Sequence, residues 1–261
     1  MLCNTLSYPS RHVNRTPGII YSTLYMSRGM FLGGKGKDCV MEHKSNAVKT
    51  VYFVRHGQSE ANVAPEFQSP DSPLTQLGWT QAISLAVRAK GLPARALIAS
   101  PFTRARQTAE EISDSMKLSI EFNDLFVERK KPTSIYGKPY TDTAAHDTWR
   151  RWEESLRVSG LRVEDGENFD DLLARADAAL EYLLARPESS IVVVTHGFFL
   201  RTVILRMLLG DLLTDAVFRV AHPAMALANT GITVAQHRDG FEEEARWRLW
   251  TFNDHAHLGG V

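Results

Sequence analysis

Three short runs of this chain contain no charged residue: Val51-Tyr52-Phe53-Val54, Ala96-Leu97-Ile98-Ala99 and Ile191-Val192-Val193-Val194. Each is short for a helix and each reads as a buried strand. Between them lie segments with helical spacing. Thr75 to Lys90 carries Leu77, Ile83, Leu85 and Val87. Ser100-Pro101 offers an N-cap and a first-turn proline to a helix running to about Met116. From Asn168 to Arg186, Phe169, Leu172, Leu173, Ala176, Leu180, Leu183 and Leu184 share one face, and Pro187 ends the helix. Another helix follows the third run to about Leu209. Ser119 to Phe122, Ile232 to Val234 and Trp247 to Trp250 read as further strands. Strands alternating with helices predict an α/β fold, a three-layer α/β/α sandwich with a mostly parallel central sheet. No internal repeat is present.

The 261 residues suffice for one large α/β domain or two small ones. Lys+Arg and Asp+Glu both number 30. That balance leaves no global field to grip nucleic acid or an anionic membrane, so affinity for an anion must come from local clusters. No stretch approaches the roughly 20 apolar residues that span a bilayer. The two cysteines, Cys3 and Cys39, lie in the first forty residues, so the main fold has no disulfide framework. This is compatible with a cytoplasmic, reducing compartment.

Residues 1–48 differ from the rest. They are rich in Arg, Ser, Thr and Gly and poor in acid, with no sustained apolar period. They read as a disordered leader or as a start extended upstream of Met26, Met30 or Met41; an organelle transit peptide is the minority alternative. Residues 49–261 form the expected domain. Gly29, Gly34 and Lys35 have the spacing of a phosphate-binding loop. However, Gly36 stands where a magnesium-binding Ser or Thr is required, and no strand precedes.

In sheets of this kind, ligands sit beyond the carboxyl ends of the strands. Arg55-His56-Gly57 follows the first run, Arg104 the second, and His196-Gly197 the third. Parallel strands would bring two histidines and two arginines to one edge. Glu128, after the short strand ending at Phe122, can reach the same edge. Histidine can be a nucleophile, and a covalent intermediate divides a hard displacement into two easier ones. Guanidinium groups pair with phosphate oxygens. A carboxyl group can protonate a leaving oxygen and later accept a proton from water. Glycine after each histidine permits close backbone approach. Phosphoryl transfer fits this set, without a metal or other cofactor. Taken one at a time, each of these residues also has an ordinary surface or capping role open to it; the convergence is what selects the chemical reading.

Val54-Arg55-His56-Gly57-Gln58-Ser59-Glu60-Ala61-Asn62 resembles the signature of the histidine phosphatase superfamily, which includes the phosphoglycerate mutases. Asp71-Ser72-Pro73-Leu74-Thr75, Ser100 to Ala109, Glu128 and Val194-Thr195-His196-Gly197 are similar to its later motifs, in the family's order. The resemblance implies a phosphoglycerate-mutase-like fold and a phosphohistidine on His56. Arg55, Arg104 and His196 would hold the phosphoryl group, with Gly197 beside it, and Glu128 would be the proton donor. Asn62 matches a position near the phosphate, and Ser59 is expected to line the same pocket. The expected partner is a small phosphorylated substrate, with no nucleic acid or membrane; the oligomeric state is not legible.

The particular substrate is not legible either. Glu128-Arg129 is shared with mutases, but the longer insertions that close over a diphosphorylated sugar acid are absent. Phosphomonoester hydrolysis is therefore the first reading. A phosphoglycerate-type mutase is the second, and a non-catalytic module that binds phosphorylated ligands the third. Arg129, Lys130 and Lys131 read as a solvated charge run, with a minority reading in which one meets a second anionic group. Tyr136, Tyr140, Trp149 and Trp152 offer an apolar lid, or else packing. Asn229 to Thr233 and Trp250 to His255 resemble segments of bacterial phosphatases of this superfamily. His255 and His257 near the end read as solvated rather than as metal ligands.

Overall fold

The computed structural model describes residues 48–238 and 247–259. The glycine-rich stretch around Lys35, both cysteines and all but the last residue of the 1–48 segment lie outside them. Six strands form one sheet: β1 (Val48–Arg55), β2 (Ala96–Ala99), β3 (Ile120–Phe122), β4 (Ser190–Thr195), β5 (Ile232–Arg238) and β6 (Trp247–Asp254). Their order is β3-β2-β4-β1-β5-β6. β1, β2, β3 and β4 are mutually parallel, whereas β5 runs against both β1 and β6. The helices are α1 (Glu60–Val63), α2 (Gln76–Ala89), α3 (Thr103–Met116), α4 (Thr143–Glu154), α5 (Phe169–Ala185), α6 (Gly197–Leu209) and α7 (Asp215–Ala224).

The uninterrupted apolar strands divide their side chains between two cores. Val51, Phe53, Ile191 and Val193 pack on one face with Leu172, Leu183, Val203 and Ile204 from α5 and α6. Val54, Val192 and Val194 pack on the other with Leu85, Ala105, Ala109 and Ile112 from α2 and α3. A strand covered on both faces has no use for a polar alternation, which is why these runs carry none. The sandwich and its mostly parallel sheet are therefore as expected from sequence. Among the described residues, no helix is long and apolar enough to cross a membrane.

The structure corrects several local expectations. Ser100-Pro101 does not open α3, which begins at Thr103 with Phe102 at the N-cap and no side-chain cap. The Ser100 hydroxyl is engaged elsewhere. Leu77, Ile83 and Val87 are 51%, 53% and 67% exposed, while α2 buries Gly78, Ala82, Leu85, Ala86 and Ala89. This helix meets α3 through small residues, which permit closer approach than the larger ones. Leu184 of α5 likewise turns outward, at 36% exposed. The helices α4 and α7 have no counterpart in the sequence reading. Each buries only two side chains, Ala145 and Trp152 in α4 and Phe218 and His222 in α7, too few to print a period.

Candidate active site

Strand register builds the catalytic edge. Arg55 lies opposite Thr195 in the parallel β1–β4 pair, and Ala99 lies opposite Val194 in the β2–β4 pair. The next residue of each strand is therefore His56, His196 or Ser100. The His56 N–H donates to Thr195 O at 3.0 Å, and Ser100 N–H to Val194 O at 2.9 Å. The two imidazoles come to rest with ring centroids 5.0 Å apart. His56, His196 and Arg104 are all essentially buried, at 2%, 0% and 1% exposed.

The His56 ring has a defined tautomer. Its Nδ1 lies 2.6 Å from the carbonyl oxygen of Gly57, which can only accept, so Nδ1 carries the proton. Nε2 keeps its lone pair and accepts from Arg104 Nε at 3.1 Å. Burial first, then the charges of Arg104 and Arg55, hold the His56 imidazole well below the usual histidine range. The same burial and the Arg104 charge hold His196 down. His196 Nε2 sits 2.8 Å from Ser100 Oγ, and its Nδ1 is buried without a partner.

Arg104 also donates through Nη1 to Ser69 O at 3.1 Å, and burial pulls its guanidinium down to about 10. Arg55 donates through Nη1 to Leu227 O, while its Nε is buried with no partner. Arg55 Nε and His196 Nδ1 are thus both buried polar atoms without a partner, and leaving such an atom unpaired costs about 1–3 kcal/mol, which marks this edge as prepared for a ligand. Both glycines after the histidines are needed for close approach. A Cβ on Gly197 would stand 3.1 Å from Arg55 Nε, and one on Gly57 would stand 2.7 Å from Gly78 O.

Glu128 reaches this edge from the opposite side. Its Oε1 accepts from Phe199 N–H at 2.9 Å and from Arg129 N–H at 3.0 Å, and Oε2 accepts from Phe198 N–H at 3.2 Å. The carboxylate thus sits on the N-terminus of α6, where free backbone N–H groups and the helix dipole favour an anion. Arg175 of α5 fixes the loop that carries it. It donates to the carbonyl oxygens of Leu125, Val127 and Glu128 and forms a two-point ion pair with Glu167, both bonds at 2.7 Å.

Two cavities meet here. The smaller, 220 Å³, is lined by Arg55, His56, Asn62, Glu128, Gly197 and Arg201, among others. The larger, 480 Å³, has Phe67, Tyr140, His146, Trp149, Trp152 and Lys131 in its walls. Gln68, Glu128 and Phe198 belong to both.

The sequence-predicted residues Arg55, His56, Asn62, Arg104, Glu128, His196 and Gly197 are thus brought together. Asn62 lines the small cavity and accepts from Ser59 N–H through Oδ1 at 3.0 Å. Ser59 is fully buried and lines neither cavity. The solvated-run reading fails for Arg129, which is 2% exposed, lies 3.6 Å over the Trp152 ring, and donates to Glu153 Oε1, Trp152 O, Ser155 Oγ and Glu167 O. Half-buried Lys131 makes no hydrogen bond or ion pair among the described residues, and burial lowers its ammonium to about 8. Lys130 alone of the three is exposed. Tyr136 stays outside the large cavity, whereas Tyr140, Trp149 and Trp152 line it. Ser100 and Arg201 were missed. Ser100 carried a helix-cap signal, and Arg201 lies in a mostly apolar helix that also carries Arg206, so its position alone gives no cue. Among the described residues, no group of three or more His, Cys, Asp or Glu is placed to hold a metal ion. His257 instead meets Thr230 Oγ1 at 3.0 Å, and His255 Nδ1 donates to Asn253 O at 2.7 Å.

The profile of the histidine phosphatase superfamily (branch 1) matches residues 51–250, and the chain belongs to that superfamily. The GpmB proteins of Escherichia coli, described as probable phosphoglycerate mutases, are 31% identical over 212 residues, which covers 80% of this chain and 94% of theirs. Among solved structures, YhfR of Bacillus stearothermophilus aligns with a TM-score of 0.66 at 23% identity, covering 80% of this chain and 99% of its own. A phosphoserine phosphatase variant from Entamoeba histolytica, in complex with phosphoserine, aligns with a TM-score of 0.62 at 22% identity, covering 80% and 99%. Both share the fold.

Proposed function

We infer that this protein is a phosphomonoesterase that carries the phosphoryl group on His56. One observation supports this above the others: the Gly57 carbonyl fixes the proton on His56 Nδ1 and so leaves a lone pair on a buried Nε2, beside Arg104. Nε2 attacks phosphorus in line with the ester oxygen. Glu128 takes up a proton as the anionic phosphoryl group binds beside its carboxylate, and as the phosphorus–oxygen bond breaks it gives that proton to the departing alkoxide. Arg55, Arg104 and neutral His196 donate to the three equatorial oxygens, where charge develops in the transition state. Water then attacks phosphorus, Glu128 takes its proton, and phosphate leaves with the His56 lone pair restored.

The expected substrate is a small phosphorylated molecule, and the absence of a disulfide framework after Val40 fits a cytoplasmic setting. His56→Ala is expected to abolish phosphate release, and rapid quench of the parent protein with a labelled ester should trap acid-labile phosphate on His56. Full activity in His56→Ala would overturn the mechanism.

The name of the Escherichia coli relatives supports a second reading, a phosphoglycerate-type mutase. Isomerised 3-phosphoglycerate in the presence of a bisphosphorylated glycerate would establish it. Simple phosphate release under the same conditions is the outcome expected here.

A further inference from the structure

The small cavity is lined by His56, Arg55 and Arg201, which suit a phosphoryl unit, but the adjoining 480 Å³ cavity is far larger than the remainder of a three-carbon phosphoester requires. An apolar cavity of about 150 Å³ already accommodates a benzene ring. The walls are aromatic and ordered by contacts of their own. Phe67 meets Tyr140 edge-on at 4.9 Å and Trp149 at 6.2 Å, and His146 lies 5.5 Å from Trp149. His146, Trp149 and Glu153 recur along one side of α4, and Asp142 caps that helix by accepting from Ala145 N–H at 3.0 Å. Trp152 has its indole N–H satisfied by Glu167 O at 3.0 Å, so what it offers the cavity is apolar surface.

Most polar groups on the same wall are already engaged. Arg129 is paired with Glu153 at 2.9 Å, and Glu128 is held by backbone N–H groups. The polar groups left on this wall are the Lys131 ammonium and the ring heteroatoms of Tyr140, His146 and Trp149, set among apolar ring faces that cannot bond the hydroxyl groups of a sugar. A flat aromatic body matches those ring faces, and its π face can meet the Lys131 ammonium. Phe198 and Gln68 belong to both cavities, so a single molecule can place its ester oxygen beside Glu128 and its body against α4.

We propose that the cavity walled by α4 is a leaving-group subsite for an aromatic body, and that the substrates are phosphomonoesters bearing an aryl group. This assignment rests on the phosphatase reading and narrows it to a substrate class.

The test compares 3-phenylpropyl phosphate with propyl phosphate. Their alkoxide leaving groups are alike in basicity, so a difference in kcat/KM reports the ring and not the chemistry. Burial of one phenyl ring predicts a preference of about 30-fold for the phenylpropyl ester. In Trp149→Ala and in Phe67→Ala the preference should fall below about fivefold. A ratio within threefold of unity in the parent protein, or a ratio unmoved by both variants, would overturn the subsite. If neither ester releases phosphate, nor any phosphohistidine is trapped, the phosphatase reading fails by itself. The subsite is then decided by binding of 3-phenylpropylphosphonate against propylphosphonate, read from tryptophan fluorescence. Tighter binding of the aryl phosphonate supports it, and equal binding rejects it.

Discussion

His56 is useful to this site because it is hard to protonate. An ordinary imidazole titrates near about 6.5 and would be largely cationic in mild acid. Here burial, with Arg104 and Arg55 behind it, favours the neutral ring, so the nucleophile stays available at lower pH. The acid limb of kcat/KM is therefore expected well below pH 6.5, and a limb at or above that value would contradict the assignment. Arg104→Met removes a positive charge that opposes protonation. The limb should move toward higher pH while kcat falls by at least about 100-fold, since a donor to the transition state is lost as well. At this scale the sequence was most informative where a residue follows a strand. Arg55, His56 and His196 are placed by one strand end each, so local pattern sufficed. Ser100, Arg201 and the buried role of Arg129 depend on partners between 21 and 96 positions away, which no local pattern carries.

Helix α6 and the loop before α4 are the elements that turn these residues into a site. Glu128 does two jobs, capping α6 and serving as the proposed acid. Glu128→Gln turns an NH₂ group toward one of the backbone N–H donors of Phe198, Phe199 and Arg129. It should lower stability by about 1 kcal/mol, as loss of a cap does. Its effect on rate should be selective. With propyl phosphate, kcat should drop by about 10²–10⁴, the range for a lost general acid. With 4-nitrophenyl phosphate, whose phenolate leaves unaided, one equivalent of nitrophenolate should appear in a burst before slow turnover. Equal losses on both esters in a stopped-flow assay would remove Glu128 from the acid role. Arg129, two residues beyond the last buried apolar position of its loop, locks α4 against that loop through four partners. Arg129→Met should cost about 3–5 kcal/mol in urea unfolding because the acceptors of a buried charge lose their donor. Lys130→Met, at an exposed position, should stay within about 0.5 kcal/mol. The sequence presents these two cations side by side, and only the path of the chain past Trp152 separates their roles.

Across the whole molecule, neutral histidines couple catalytic design to acid stability. His56 and His196 are held well below the usual range, and His222, 4% exposed between Phe198 and Phe218, is lowered to about 4, chiefly by burial and then by Arg201. In the unfolded chain all three accept a proton near about pH 6.5. Between that pH and about 4, the unfolded state therefore binds more protons than the folded one, and stability must fall as pH falls. The sign is opposite to that of a histidine paired with a carboxylate. The depressed carboxylates Asp165, Asp171, Glu188 and Asp254 push in the same direction, but at lower pH, where their folded forms become protonated. Mild acid thus isolates the histidines. The unfolding free energy at pH 5 is expected to lie below that at pH 7, and His222 alone should account for about 2 kcal/mol of the difference. His222→Gln keeps a donor for the Phe198 carbonyl, which His222 Nε2 now meets at 3.0 Å, but cannot titrate. In urea titrations the variant should lose that share of the pH dependence, whatever its stability at pH 7. A pH 5 to pH 7 difference identical to the parent's would mean that His222 is protonated in the fold, and that the aromatic packing around it tolerates a charge.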